Sequence, residues 1–292
     1  MPVNELEIHP YLEDINYQDF KVNHFENLII GTFPVYSITD TLTPEEEIEE
    51  HVLNENDAYM SFFYGSKKNS FWRLVTHGLG EQVNPIDLPL EDRKVAAINL
   101  LTNQKFLITD AVYKTNRKDE KAEDKYLWAD TNNEYVLKNR TLNFGIEEIL
   151  KNNKNIKYLY FTSTALTGKS PFGWFQQIFQ NQLQYNIIQH VDNRPISAEV
   201  RIGNRTYIAF FLPSPAGNGT RGLHFTNTSR TEIFINYIQS VDIVFYNEIN
   251  NIPQANRTAA QKQRLTALRR GYLHQHYREV LQNKNQHFNG SI

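Results

Sequence analysis

Leu28-Ile29-Ile30-Gly31-Thr32-Phe33-Pro34 is the stretch that decides the fold. Three consecutive apolar residues leave no polar face, and the Gly and Pro that follow mark the end of a strand. A strand apolar on both sides belongs to a sheet covered on both faces, and such sheets are typically parallel. Three later runs have the same character: Phe106-Leu107-Ile108-Thr109-Asp110, Ile156 to Phe161, and Arg205 to Leu212. The spacers between them carry helical apolar periodicity. The pattern predicts an α/β fold: a three-layer sandwich whose central, mostly parallel four-stranded sheet contains residues 27–31, 106–109, 156–161 and 206–212. Open α/β sheets bind ligands at the carboxyl ends of their strands. The turns after Ile30, Ile108, Phe161 and Leu212 are therefore where a site is expected.

Helices are expected over 69–79, 91–103, 141–151, 172–183, 229–250 and 258–283. Gly203-Asn204 reads as a two-residue hairpin joining strands 196–202 and 205–212. The mixed charges of 114–125 read as an exposed loop. Thr43-Pro44-Glu45-Glu46 has the form of a capping box with Pro at the first helical position. It opens an acidic segment whose plainest reading is a solvated helix face.

The chain has 292 residues, of which 40% are hydrophobic, enough for a substantial core. It has no apolar run of membrane-spanning length and no signal-peptide pattern, so a cytoplasmic, intracellular location away from membranes is the expectation. The absence of Cys excludes disulfides, a thiol nucleophile and a Cys-bound iron–sulfur cluster. Net charge is −3, but it is polarised along the chain. Residues 251–292 hold seven Lys/Arg against one acid, Glu279, while 39–57 hold eight acids and no Lys or Arg. The basic end divides the chain into a 1–250 α/β domain and a 251–292 helical extension packed on or near it. Arg269 and Arg270 are its candidate phosphate contacts.

A second stretch carries the chemistry. Phe62-Phe63-Tyr64-Gly65-Ser66-Lys67-Lys68-Asn69-Ser70-Phe71-Trp72-Arg73 puts five aromatics, three cations and an Asn into twelve residues. Lys67 and Lys68 suit phosphates, aromatics suit base stacking, and Asn69 suits a base edge or a positioned water. The plainer reading is a helix start, with Asn69 or Ser70 as cap and Phe71, Trp72, Leu74 and Val75 in the core. The two are compatible.

Together with Phe210-Phe211-Leu212-Pro213-Ser214-Pro215-Ala216-Gly217-Asn218, these motifs resemble the uracil-DNA glycosylase superfamily, most closely its hypoxanthine/uracil branch. That branch has a Gly-Ser-Phe-Pro turn, a Tyr-Gly-His-Pro-Arg-Asn-x-Phe-Trp stretch and a late Leu-Pro-Ser loop, in this order. The resemblance implies a monomeric, monofunctional DNA glycosylase that flips a base and hydrolyses its N-glycosidic bond without metal or cofactor. It implies Asn69 as the catalytic residue, and Phe33, Tyr36, Tyr64 and Asp110 around the base. Lys67, Lys68, Ser214, Asn218 and Arg221 would contact DNA. Uracil, hypoxanthine or a bulkier modified pyrimidine are the candidate bases. Phe33 stands where the best-known uracil branch has a water-orienting Asp, and Ser66 where the closer branch has His. The family spacer is also shorter, which makes 38–57 an insertion. These departures keep open a non-catalytic nucleic-acid-binding derivative.

Ser163 to Ser170 is one Gly short of a phosphate-binding P-loop, so a nucleotide-binding role for Lys169 and Ser170 is a third reading. His274-Gln275-His276 gives no metal site, because residues two apart on a helix point to different faces.

Overall fold

The computed structural model describes residues 6–12, 24–34, 60, 62–65, 69–119, 124–191, 194–216, 220, 223–226 and 231–282. The acidic 38–57 segment, Tyr36, Lys67, Lys68, Asn218 and Arg221 lie outside the described residues.

Nine strands are described: β1 Glu7–Ile8, β2 Asn27–Gly31, β3 Phe106–Asp110, β4 Val112–Thr115, β5 Thr141–Leu142, β6 Tyr158–Phe161, β7 Leu183–Val191, β8 Arg194–Ile202 and β9 Arg205–Phe211. Eight helices accompany them: α1 Phe71–Gly78, α2 Leu90–Asn103, α3 Glu134–Asn139, α4 Gly145–Asn152, α5 Pro171–Phe179, α6 Glu232–Val241, α7 Ile243–Ile249 and α8 Ala259–Gln282. The main sheet is mixed, with six strands in the order β3-β2-β6-β9-β8-β7. β3, β2, β6 and β9 run parallel. β8 and β7 extend the sheet antiparallel. The expected four-stranded sheet is therefore two strands short of the real one.

Every residue of β2, β3 and β6 is buried, because both faces of the sheet are covered. Alternation sends Ile29, Phe106, Ile108, Tyr160 and Phe210 to one face, against α1, α2 and α8. Leu28, Ile30, Leu107, Leu159 and Phe211 go to the other, against α4 and α5. The phase agrees from strand to strand, since Leu28 stands beside both Leu107 and Leu159 in the parallel register. A one-residue slip would exchange the two faces of a strand.

The remaining differences have local causes. The helix expected to reach residue 183 stops at Phe179, where Gln180 takes a positive φ of 42°. Leu183–Val191 then forms an edge strand whose half-exposed residues hide its two-residue period. The helix expected from 141 starts at Gly145, because Thr141 and Leu142 pair with β4 in a small sheet, β1-β4-β5. The helix expected over 229–250 breaks at Asp242, which leaves helical geometry and caps Phe245 with its side chain.

The largest correction falls on 114–125. Thr115, Asn116 and Arg117 are buried rather than exposed. Arg117 Nε donates to Glu7 Oε1 at 3.1 Å and its Nη2 donates to Glu7 Oε2 at 3.2 Å. The same Nη2 donates to the Pro34 carbonyl at 2.9 Å. No periodicity reveals a charge whose partner lies 110 residues away.

The C-terminal helix is a member of the core. Leu273, Tyr277, Val280 and Leu281 of α8 join the cluster that contains α1. A Cβ on Gly78 would stand 2.7 Å from Leu281 Cδ1, so this glycine lets the two helices touch.

Removing one member of a buried ion pair leaves the other charge uncompensated, at a cost of about 3–5 kcal/mol. Arg117→Ala should lower the unfolding free energy by that amount in urea titrations. The double change Glu7→Gln with Arg117→Met should lower it less.

Candidate active site at the strand ends

β2 ends at Gly31, and the site begins where that residue has no side chain. A Cβ there would lie 2.0 Å from Asp110 Oδ1 and 2.1 Å from the Tyr64 hydroxyl. Those two oxygens thus converge on one point and lie within about 4 Å of each other. Gly31 is needed for this close approach.

Tyr64 comes from the aromatic-rich stretch. Phe62, Phe63, Phe71 and Trp72 are buried, and Trp72 Nε1 donates to the Phe63 carbonyl at 2.9 Å. These rings fix the loop as core packing, as the plainer reading expects. Tyr64 alone turns to the strand ends. Its φ of 54° is unusual for a residue with a side chain. Its ring stacks on Phe71 at 4.1 Å and 16°, and its hydroxyl lies 3.0 Å from Thr162 Oγ1, just after β6. Burial, then the Asp110 charge, hold the phenol well above its ordinary pKa, so Tyr64 stays protonated.

Asp110 closes β3. It is buried; Oδ2 lies 2.9 Å from His9 Nε2, and among the described residues Oδ1 has no hydrogen-bond partner. The His9 tautomer follows from its other nitrogen: Nδ1 accepts the Tyr11 backbone N–H at 3.1 Å, so Nε2 carries the proton and donates it to Asp110. Phe33 meets the same histidine edge-on, 5.6 Å between ring centroids, and Arg117 lies 5.9 Å from the centre of its ring. Phe33 is half-buried between them.

A second carboxylate stands close by. Thr32 Oγ1 donates to Asp124 Oδ2 at 2.9 Å. The Asp124 carboxyl is pushed up to about 7, chiefly by burial, with the Thr32 hydrogen bond opposing, Asp110 adding and Arg117 opposing. Sequence reasoning missed His9, Thr32 and Asp124. His9 follows a two-residue strand with no pattern of its own, and Asp124 sits in a charge-mixed run that reads as solvent-exposed.

Asn69 and Ser214 lie toward the other side of the same edge. Asn69 Oδ1 accepts the Phe71 N–H at 2.8 Å and so caps α1. The cap uses the oxygen and not the Nδ2 donors. The Ser70 N–H donates to the Pro215 carbonyl at 3.1 Å, which joins the middle motif to the last one. Ser214 Oγ accepts the Ala216 N–H at 3.4 Å, as in a turn. Tyr277 of α8 donates its hydroxyl proton to the Pro213 carbonyl at 2.9 Å. Phe33 follows β2, and Ser214 follows β9 two strands away.

Other candidates fall elsewhere. Lys169 donates to the carbonyls of Lys125 at 3.4 Å and Trp128 at 3.2 Å, so its ammonium ties down a neighbouring loop. Ser170 Oγ accepts the Gly173 N–H and caps α5. Arg269 is half-buried, and its Nε donates to the Leu223 carbonyl at 3.0 Å, whereas Arg270 is exposed. His274 packs its ring on His77 at 5.0 Å, and among the described residues no cluster suits a metal ion. A cavity of about 340 Å³ lies between the β7–β8 edge and helices α6 and α8, lined by Gln189, Tyr237, Tyr272 and Gln275 among others. It holds none of the site residues above.

No family model, no curated protein and no solved structure matches this chain.

Folding keeps a proton on Asp124 that an unfolded aspartate gives up near 3.8. The folded state therefore binds more protons than the unfolded one between that value and about 7, and this group's contribution to stability falls as pH rises through the window. The loss amounts to about a few kcal/mol at most. Asp124→Asn should remove it, so urea midpoints of the variant and the wild type should diverge from about pH 4 to about pH 7 and run parallel above.

Proposed function

We propose that this protein is a monomeric, monofunctional DNA glycosylase that hydrolyses the N-glycosidic bond of a flipped uracil, hypoxanthine or bulkier modified pyrimidine. The observation that carries the reading is the convergence on Gly31. There the unpartnered Asp110 Oδ1 and the Tyr64 hydroxyl meet at the carboxyl ends of parallel strands. The link between Ser70 and Pro215 supports it by bringing the middle and last motifs to the same edge.

Breaking a C1′–N bond builds positive charge on the sugar and negative charge on the leaving base. The reaction calls for an acceptor near an attacking water, donors to the base, and a stacking surface for the extruded ring. Asp110 supplies an acceptor, the Nδ2 donors of Asn69 a positioning group, and Phe33 an aromatic wall. The first turn brings Phe33 where an Asp would serve, and the next strand brings a carboxylate instead. Arg270 is exposed and available to phosphates, while the carbonyl bond of Arg269 gives it a bracing role. DNA as partner and an intracellular location belong to this same reading.

One observation favours a binding-only derivative of the fold: the Asn69 oxygen is already engaged as a helix cap. The two readings separate when duplexes carrying each candidate base are incubated with the protein and scored for abasic sites. Under single-turnover conditions Asn69→Ala should slow base release by on the order of a hundredfold with DNA binding retained. An Asn69 that only caps would cost about 1 kcal/mol in a melting curve and leave the rate per folded molecule unchanged. Arg270→Ala should weaken binding of all duplexes alike and flatten its salt dependence by roughly one ion equivalent.

A further inference from the structure

Away from the strand ends, the groove between α6, α8 and the β7–β8 edge has a chemistry of its own. We propose that it binds a nucleoside monophosphate, with the base in the cavity of about 340 Å³ and the phosphate beside Arg278. The proposal does not depend on the glycosylase reading.

The strand wall of the cavity buries polar atoms that the fold leaves unused. Among the described residues Gln189 Oε1 has no hydrogen-bond partner. Ser197, its neighbour across the β7–β8 pair, is fully buried, and its Oγ has none there either. Residues paired across two strands share a face, so both oxygens lie on one side of the sheet. The β7–β8 register shifts on either side of Gln189. Such bulges re-aim a side chain. A buried amide without a partner points to a ligand that completes it. On the helical wall, Asn236 and Ser240 of α6 and Gln275 of α8 add amides and a hydroxyl. Tyr237 and Tyr272 add aromatic rings, edge to face at 5.6 Å and 74°. Side-chain amides pair with the donor–acceptor edge of a base, and tyrosine rings stack on its faces. The cavity volume suits one small ligand.

A second, more open cavity of about 680 Å³ adjoins it around α8, with His77, His274 and Arg278 on its wall. Arg278 Nη2 donates to His77 Nε2 at 2.8 Å, so the His77 ring is neutral with its proton on Nδ1. His274 meets His77 edge-on at 5.0 Å. Burial, then His77, then Arg278 hold His274 below its ordinary pKa. Basic groups from two helices are thus crowded together, and an anion relieves the crowding. A guanidinium with imidazole N–H donors beside it suits a phosphate.

Helical spacing sets the two halves side by side. At about 3.6 residues per turn, Tyr272, His276 and Val280 face the first cavity, and Gly271, His274 and Arg278 face the second. Gln275 and Glu279 form the ridge between them and line both, as does Tyr237. Gln275 Nε2 donates to Glu279 Oε1 at 2.7 Å, and both residues are exposed, so the ridge is open to solvent. A Cβ on Gly271 would stand 2.4 Å from the Tyr237 hydroxyl, so this glycine lets the tyrosine lie against α8 between the two halves. A sugar lying over the ridge gains the Glu279 carboxylate as an acceptor for its hydroxyls. Arg278 and the two histidines offset that carboxylate beside the phosphate.

Calorimetric titration of the full chain with the ribonucleoside monophosphates of adenine, guanine, cytosine and uracil, up to about 5 mM each, tests the proposal. At least one should bind with one-to-one stoichiometry, and its nucleoside and inorganic phosphate should each bind at least about tenfold more weakly. Arg278→Ala should weaken the monophosphate by at least about tenfold and leave the nucleoside unchanged. Asn236→Trp, at an exposed position of α6, should fill the base cavity and abolish binding with the melting curve retained. Gln189→Met should weaken binding without lowering the melting temperature, since the amide oxygen it removes holds nothing in the fold. Absence of heat with all four monophosphates overturns the proposal, as does a nucleoside that binds as tightly as its monophosphate. Full affinity in Arg278→Ala or in a folded Asn236→Trp also overturns it. Should Asn236→Trp fail to fold, Arg278→Ala and Gln189→Met decide, and full affinity in either overturns the assignment.

Discussion

β2 has a strand on either side and a hydrophobic cluster on either face, and the rest of the molecule depends on that enclosure. Its five residues are all buried, and their backbone groups bond to β3 and β6. Nothing within it can be polar or large in an unplanned direction. At its last residue the enclosure opens, and neighbouring elements crowd in to fill the space a side chain would have taken. The convergence of Asp110 and Tyr64 is thus a packing consequence of the strand's end. It gains chemical meaning because the groups that arrive are an acceptor and a hydroxyl.

The polar groups behind the site form a connected support. Glu7 and His9, two residues apart, reach Arg117 and Asp110 respectively. Arg117 also bonds the Pro34 carbonyl, and its guanidinium flanks Phe33. An N-terminal segment with only two strand residues thereby orients both the Asp110 carboxylate and Phe33. Such buried charges are costly to desolvate, and their value lies in fixing geometry more than in adding stability. A burial-raised Asp124 fits the same pattern: the fold tolerates an unfavourable carboxyl beside Thr32 at neutral pH.

The apolar strands were legible because their pattern is local: 27–31, 106–109, 156–161 and 206–212 all belong to the six-stranded sheet. The hairpin at Gly203-Asn204 was legible for the same reason, and Gly203 takes a φ of +56°. The β7 strand was not, since an exposed edge lacks a clear inner face. Nor was the break at Asp242, where an aspartate leaves helical geometry to cap the next helix. Within the site, Gly31, Tyr64, Asn69 and Asp110 stood out by motif and strand-end position. His9 and Asp124 did not, because their role exists only through partners about a hundred residues distant or through burial that charge-rich sequence conceals.

The contacts of α8 carry a consequence for the order of events in folding. Tyr277 anchors the loop after β9, and Arg278 Nη2 donates to His77 Nε2 at 2.8 Å across 201 residues. The first 250 residues therefore cannot finish their own strand-end wall. Closing loops of that length is slow relative to forming a local helix. On a chain emerging from the ribosome, the loop after β9 therefore gains its Tyr277 anchor only after every strand of the sheet has been made.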